Sequence, residues 1–255
     1  MGTKAAGREN RRDSVPATEP VLGFDSPHEL LAAEAEAQWG MFTTAQALRA
    51  GMTRKALAHL VARHHVNHTG TRGVYRFVGV PEEPMLDQVR RDWLALSPKR
   101  FKRERLRTLG DEHTWNDAVV SHLTAANYVY ELSDLQPDMC DFTVDTKSRR
   151  VRNPSIAFHP RLTKPQWELV NGLPTTTIPQ TVADLYIANE NQDHLGKIIY
   201  DAILRRGESL RDIAAALDPA TANHGREAAL RLLELIHTPA DFIAANDLLD
   251  NLGRT

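Results

Sequence analysis

The stretch ALRAGMTRKALAHLV, residues 47–61, decides how the first third of the chain is read. It holds two short helical patterns broken at Gly51, and Thr53 stands where a side-chain cap would start the second. At about 100° per residue, Ala56, Leu57, Leu60 and Val61 share one face, the expected core face. Arg54, Lys55, Ala58 and Ala62 turn away from it, and His59 lies on the flank. An ordinary solvent face carries Glu, Gln or Lys more often than alanine. Outward alanines let a helix backbone approach a surface closely, and an alanine methyl can meet a thymine methyl. Cations at the helix start suit phosphates or guanine edges.

The flanks complete a pattern. Upstream, SPHELLAAEAEAQWG (26–40) predicts a helix capped by Ser26, with Pro27 in its first turn, Glu29 in a capping box and Gly40 at its end. A short extended MF follows, then a helix in TTAQALRAG (43–51) capped by Thr43 or Thr44. Downstream, HHVNHTGTRGVYRFVGV (64–80) reads as strand, turn, strand, with Gly70 and Gly73 in the turn. Helix, helix, turn, helix, hairpin is the order of a winged helix-turn-helix, with Thr71 and Arg72 at the wing tip and Arg76 on the returning strand. The plainer alternative is a three-helix domain with a hairpin that binds protein.

Charge supports the first reading. The chain of 255 residues has a net charge of −2, but residues 1–80 carry +3, residues 81–110 another +3, and residues 111–255 carry −8. Between Ala37 and Pro81 there are six Lys/Arg and no acid, as expected of a surface that faces a polyanion. The predicted DNA contacts are Thr53, Arg54, Lys55, Ala58, His59, Ala62 and Arg63 on the third helix, with Arg72 and Arg76 on the wing. Lys55, Arg63, Arg72 and Arg76 are the expected phosphate contacts, and Arg54 with its neighbours the base contacts.

Residues 1–25 read as a polar tail without the apolar core of a secretory signal. No apolar run approaches the ~20 residues of a membrane helix. Cys140 is the single cysteine, which excludes an internal disulfide and suits a reducing cytoplasm. Residues 81–116 read as a helical linker. Within it PKRFKRERLR, with six Lys/Arg and one Glu between Lys99 and Arg107, reads as a solvated basic loop, or else as an extra contact to the DNA backbone. Residues 117–255 predict a mixed domain, strands first and helices last: a buried run and a helix capped by Ser121, strands in DFTVDT and SIAFHP around the basic turn KSRRVRNP, a turn, an extended piece and a helix started near Pro179 in NGLPTTTIPQTVADLYIANE, and helices near 192–205, 209–217, 225–236 and 239–251. The fold class is therefore α+β.

The chemistry sought in these residues is mostly missing. Ser121 and His122 are adjacent, and neighbours on a helix do not face each other. His59, His64, His65 and His68 have no cysteine nearby, and a polar wing explains them better than a metal. Pro137-Asp138 with Asp145-Thr146-Lys147 imitates the spacing of a Mg²⁺-dependent nuclease, in a compressed form. No phosphate-binding glycine loop is present, and no cofactor is expected.

Three segments together resemble one family. Residues 30–81, then DAVVSHLTAANYVYEL (117–132), then NGLPTTTIPQTVADL (171–185) are similar to AbiEi antitoxins of type IV toxin–antitoxin systems. The resemblance implies a winged helix-turn-helix followed by an antitoxin domain. It implies a cytoplasmic, non-enzymatic autorepressor that binds repeats in its own promoter, and it allows a dimer on the DNA. It also implies a nucleotidyltransferase-like toxin, opposed directly or indirectly by the second domain. The segment from about 98 to 116 is longer than the usual linker. The nuclease, and a protein-interaction module that holds the toxin through its winged helix, are the alternatives.

Overall fold

The computed structural model describes residues 26–111, 115–132, 134–146, 153–240, 242–244 and 246. The polar tail, the turn KSRRVR (147–152) with Lys147, and most of the helix expected at 239–251 lie outside these residues.

The chain is mixed α and β. Helix α1 (Pro27–Glu36) starts at Ser26, whose hydroxyl accepts from the Glu29 amide at 3.2 Å. Strand β1 (Met41–Thr43) runs into α2 (Thr44–Arg49), where Thr43 and Gln46 form a reciprocal capping box. Helix α3 (Arg54–Ala62) is capped by Thr53, which accepts from the Ala56 amide at 3.1 Å. Strands β2 (Val66–His68) and β3 (Val74–Phe77) follow, and the antiparallel sheet has the order β1-β3-β2.

Alternation gives this sheet two covered faces. Phe42, Tyr75, Phe77 and Val66 pack with Leu31, Ala35, Ala47 and Leu57 of the three helices. Met41 and Val74 point the other way, into a second core that extends through the rest of the chain. Arg76 stands opposite both Met41 and Asn67 in register, so it shares that second face.

Helix α4 (Pro84–Leu96) lies against it. Helix α5 (Lys102–Gly110) contains most of the basic run. The solvated loop expected there is overturned. Arg105 is completely buried, with Nε 3.0 and 2.9 Å from the two Asp117 carboxylate oxygens, and its guanidinium stacks 3.3 Å from the Trp93 ring centroid. Arg103 pairs with Glu34 at 2.6 Å, Glu104 with Arg49, and Arg100 with Asp117 at 3.4 Å. The run is a strap, and carboxylates from distant parts of the chain neutralise much of it.

Beyond the strap a five-stranded sheet has the order β6-β5-β4-β8-β7, built from β4 (Val119–Val120), β5 (Cys140–Asp145), β6 (Ile156–Arg161), β7 (Trp167–Val170) and β8 (Leu173–Thr176). Pairs β5–β6 and β4–β8 are parallel; β4–β5 and β7–β8 are antiparallel. Four helices close the core: α6 (Ile178–Ile187), α7 (Gln192–Arg206), α8 (Leu210–Leu217) and α9 (Gly225–Leu235). A Cβ on Gly196 would sit 2.3 Å from the Leu232 carbonyl oxygen, and one on Gly225 2.0 Å from that of Ala214, so glycine sets how closely these helices approach. No helix among the described residues is long and apolar enough to cross a membrane.

Ser121 stands at the N-cap position as expected, its carbonyl accepting from the Ala125 amide at 3.0 Å, but the capping side chain is Asp141, whose Oδ2 accepts from the Thr124 amide at 3.2 Å. After β4, His122 takes a left-handed conformation (φ 51°), and the chain enters a π-helical turn, Thr124–Val129. Ser121 stands just outside the helix, and the adjacent side chains meet: the Ser121 hydroxyl lies 2.9 Å from His122 Nδ1. The His122 ring stacks on His159 at 3.6 Å between centroids, and His159 Nε2 lies 2.9 Å from Asp141 Oδ1. Burial and the neighbouring His159 push the His122 imidazole down to about 4.

Candidate nucleic-acid interface

The candidate interface starts with helix α3. Its N-terminus is fixed by the Thr53 cap, and Leu57 anchors it as the one fully buried side chain of the helix. Leu60 and Val61 are half-buried. Ala56, expected in the core, is exposed, because only a narrow stripe of so short a helix reaches the core. Thr53, Arg54, Lys55, Ala58, His59, Ala62 and Arg63 are all exposed. The structure therefore brings seven of the nine predicted residues onto one short helix and its two caps.

The hairpin stands beside this helix. The Thr44 amide donates to the Gly73 carbonyl at 2.8 Å and ties the turn to the start of α2. Gly70 and Gly73 both have positive φ, which the tight turn requires. Arg72 is exposed at the tip. On the α4 side, the Thr71 hydroxyl donates to Asp92 at 2.9 Å and Arg91 donates to the Thr69 carbonyl at 3.0 Å.

Between α3 and the hairpin lies a depression of about 330 Å³, lined by Thr44, Arg54, Leu57, Ala58, Val61, His68 and Tyr75. Thr44, His68 and Tyr75 were not among the predicted residues. His68 and Tyr75 face each other across β2 and β3, with ring centroids 4.8 Å apart. Strand alternation, which puts His68 on the α3 side of the sheet, is the signal that could have found them.

The electrostatics separate two classes of cation. Among the described residues, Arg54, Lys55, Arg63 and Arg72 make no ion pair. Arg76 is different, and its assignment as a DNA contact is corrected. Its side chain is 9% exposed and Nη2 lies 2.6 Å from Asp87 Oδ2, on the face covered by α4. Burial alone would raise the Asp87 carboxyl, but hydrogen bonds from Arg76, the Glu83 amide and Arg90 outweigh it and hold that carboxyl below its usual range. Strand parity, which places Arg76 with Val74, keeps it from the wing surface.

The residues of the nuclease alternative are not brought together. Asp138 is exposed before β5 and Asp145 closes that strand, whose own length is roughly 17 Å at about 3.3 Å per residue, so the two carboxylates stand toward opposite ends of it. Among the described residues no group of three His, Cys, Asp or Glu side chains could hold a metal. Cys140 is buried, and burial with the nearby Asp92 pushes its thiol up to about 12, which leaves it inert.

Residues 29–78 match the family described as transcriptional regulator, AbiEi antitoxin, and so run from the first turn of α1 to the end of β3. No curated protein matches the chain. Among solved structures the chain is similar to the RV2827C protein from Mycobacterium tuberculosis, at 14% identity and a TM-score of 0.42, over 82% of this chain and 80% of that one.

Proposed function

We propose that this chain, whose N-terminal segment matches AbiEi-type transcriptional regulators, is a DNA-binding repressor and antitoxin. Residues 26–80 act as a winged helix-turn-helix, residues 81–116 as the helical strap, and residues 117–255 as the antitoxin domain. Helix α3 enters the major groove and presents Arg54 and the Ala58 and Ala62 methyls to base edges. Thr53, Lys55, His59 and Arg63 flank it, and Arg72 brings the wing to the backbone. The single observation that carries this reading is the unpaired set Arg54, Lys55, Arg63 and Arg72 beside two outward alanines, in a segment without carboxylates. A solvated helix of a protein-binding module would recruit acids to such a face.

Repression of its own promoter, as a cytoplasmic protein binding as two copies on repeats, and opposition to a nucleotidyltransferase-like toxin complete the proposal. They are supported by the segments SHLTA and GLPTTTIPQTVADL and by the family match. Fluorescence anisotropy with the DNA upstream of the reading frame and a scrambled duplex, at two salt concentrations, tests the DNA reading. Selective binding that weakens with salt is expected; weak, equal binding to both duplexes would overturn it. Growth rescue on co-expression with the neighbouring gene tests the antitoxin reading.

A further inference from the structure

The tip of the hairpin has little of its own to hold it in one place. Residues 69–74 read TGTRGV, and both glycines have positive φ, so ordering this turn costs more backbone entropy than most. A Cβ on Gly70 would meet nothing within 4 Å, so the tip stands clear of the body there. Inside the tip, the Thr69 amide and hydroxyl donate to the Val74 carbonyl at 3.3 and 3.1 Å, and the Val74 amide donates to the Thr71 carbonyl at 3.1 Å. Strands as short as β2 and β3 make a marginal ribbon without help from outside.

Three contacts supply that help. The Thr44 amide donates to the Gly73 carbonyl at 2.8 Å, the Thr71 hydroxyl donates to Asp92 Oδ1 at 2.9 Å, and Arg91 Nη1 donates to the Thr69 carbonyl at 3.0 Å. Arg72 therefore stands between two anchored residues, Thr71 and Gly73. Two of the three anchors come from consecutive residues of α4. Asp92 is costly to keep there. It is 4% exposed, and burial raises its carboxyl above the usual range, against the Thr71 hydroxyl, the charge of Arg91 and the Cys140 thiol. An apolar side chain, like those of Val89 and Trp93 on the same helix, would be buried at less cost. What the carboxylate supplies is a fixed, strong acceptor for the wing hydroxyl. The Cys140 thiol of β5 donates to the same carboxylate, so the second sheet backs the anchor.

We infer that α4 aims the wing: Asp92, through the Thr71 hydroxyl, and Arg91, through the Thr69 carbonyl, are positioning residues that hold Arg72 against the DNA backbone. A wing ordered in advance meets DNA without first losing the freedom of its glycines, and releasing it weakens binding through Arg72. The role toward DNA rests on the DNA-binding reading; the clamp on the free wing does not.

The test uses the full chain and the variants Thr71→Val, Asp92→Leu and Arg91→Met, which remove the hydrogen bonds but keep similar bulk. Amide hydrogen exchange at Thr69 and Val74 in the free protein is expected to quicken several-fold in each. Unchanged exchange in Thr71→Val and Arg91→Met, with native far-UV circular dichroism, overturns the clamp. In fluorescence anisotropy, operator affinity is expected to fall several-fold and the slope of log K against log salt to drop toward that of Arg72→Ala. In an Arg72→Ala background the same changes are expected to cost almost nothing more. A loss of the same size in that background overturns the positioning role. A loss in Thr71→Val with none in Arg91→Met overturns the Arg91 half and keeps the Asp92 half. If Asp92→Leu fails to fold, Thr71→Val decides, because it removes the same hydrogen bond from a half-buried position on the wing. No operator binding by the unaltered chain overturns the DNA reading instead, and the exchange measurement still judges the clamp.

Discussion

At the scale of single residues, Arg54 carries the sharpest claim. It is exposed, unpaired, near the N-terminus of α3, and it lines the depression beside the hairpin. Arg54→Ala is expected to weaken operator binding by about 1–3 kcal/mol and to relax discrimination at one base position. Anisotropy against a set of single-base operator variants measures both; an equal loss on every duplex would make Arg54 a phosphate contact. His122 makes a claim of a different kind. Its folded pKa is held down to about 4, by burial first and then by His159, against 6.5 for the free imidazole. Between about pH 6.5 and 4 the unfolded chain binds a proton that the folded chain refuses. Stability from this group is therefore complete above pH 6.5 and is lost as pH falls toward 4, by at most about 3 kcal/mol. Urea unfolding at stepped pH is expected to show a shallower acid loss in His122→Gln, and equal slopes would remove the claim. The Ser121–His122 contact was hidden from the sequence because a helix separates neighbours, and nothing local shows that Ser121 stands just outside the helix.

At the scale of elements, α3 with the hairpin and α5 behave oppositely although both are rich in cations. Each phosphate contact contributes about 0.9 to the slope of log K against log salt. Lys55→Ala and Arg72→Ala are each expected to lower that slope by about one. Arg76→Lys is expected to leave it unchanged, since its charge faces Asp87 and not the wing surface. A lower slope in Arg76→Lys would return that residue to the interface. In α5, Arg105→Ala leaves Asp117 buried without its bidentate partner, with an expected loss of about 3–5 kcal/mol in urea unfolding. The double change Arg105→Met with Asp117→Asn is expected to recover part of it, and a single-variant loss under about 1 kcal/mol would reduce the strap to surface decoration. These two elements also mark what the sequence made legible. Caps, glycine turns and the apolar stripe placed α1, α2, α3 and the hairpin, because those signals are local. The orientation of Arg76 needed a fact from elsewhere, that both faces of the small sheet are covered. The burial of Arg105 needed Asp117, twelve residues on, which no periodicity inside KRFKRERLR reveals. Charge alone makes such a run look solvated.

At the scale of the whole molecule, the packing joins what the sequence separates. Met41 and Val74 of the N-terminal sheet belong to the same core as Trp93 of α4 and the buried residues of α6 to α9. Trp39 stacks edge-on against Trp93 and donates to the Asn171 carbonyl at 3.0 Å, 132 residues along the chain. Lys102 caps the Trp39 ring at 4.3 Å, and Gln46 donates to the Arg100 carbonyl at 2.8 Å. Cutting the chain after residue 80 would expose Met41 and Val74 and leave Arg76 without Asp87. An isolated 26–80 piece is therefore expected to be largely unfolded and to bind operator DNA far more weakly than the full chain. The full chain is expected to melt in one transition, with calorimetric and van't Hoff enthalpies in agreement. Two resolved transitions, or a 26–80 piece with native circular dichroism and full affinity, would show that the shared core contributes little. A single transition would mean that anything gripping the C-terminal helices acts on the same cooperative unit that presents α3, so a toxin bound there could alter operator affinity without touching the DNA-binding face.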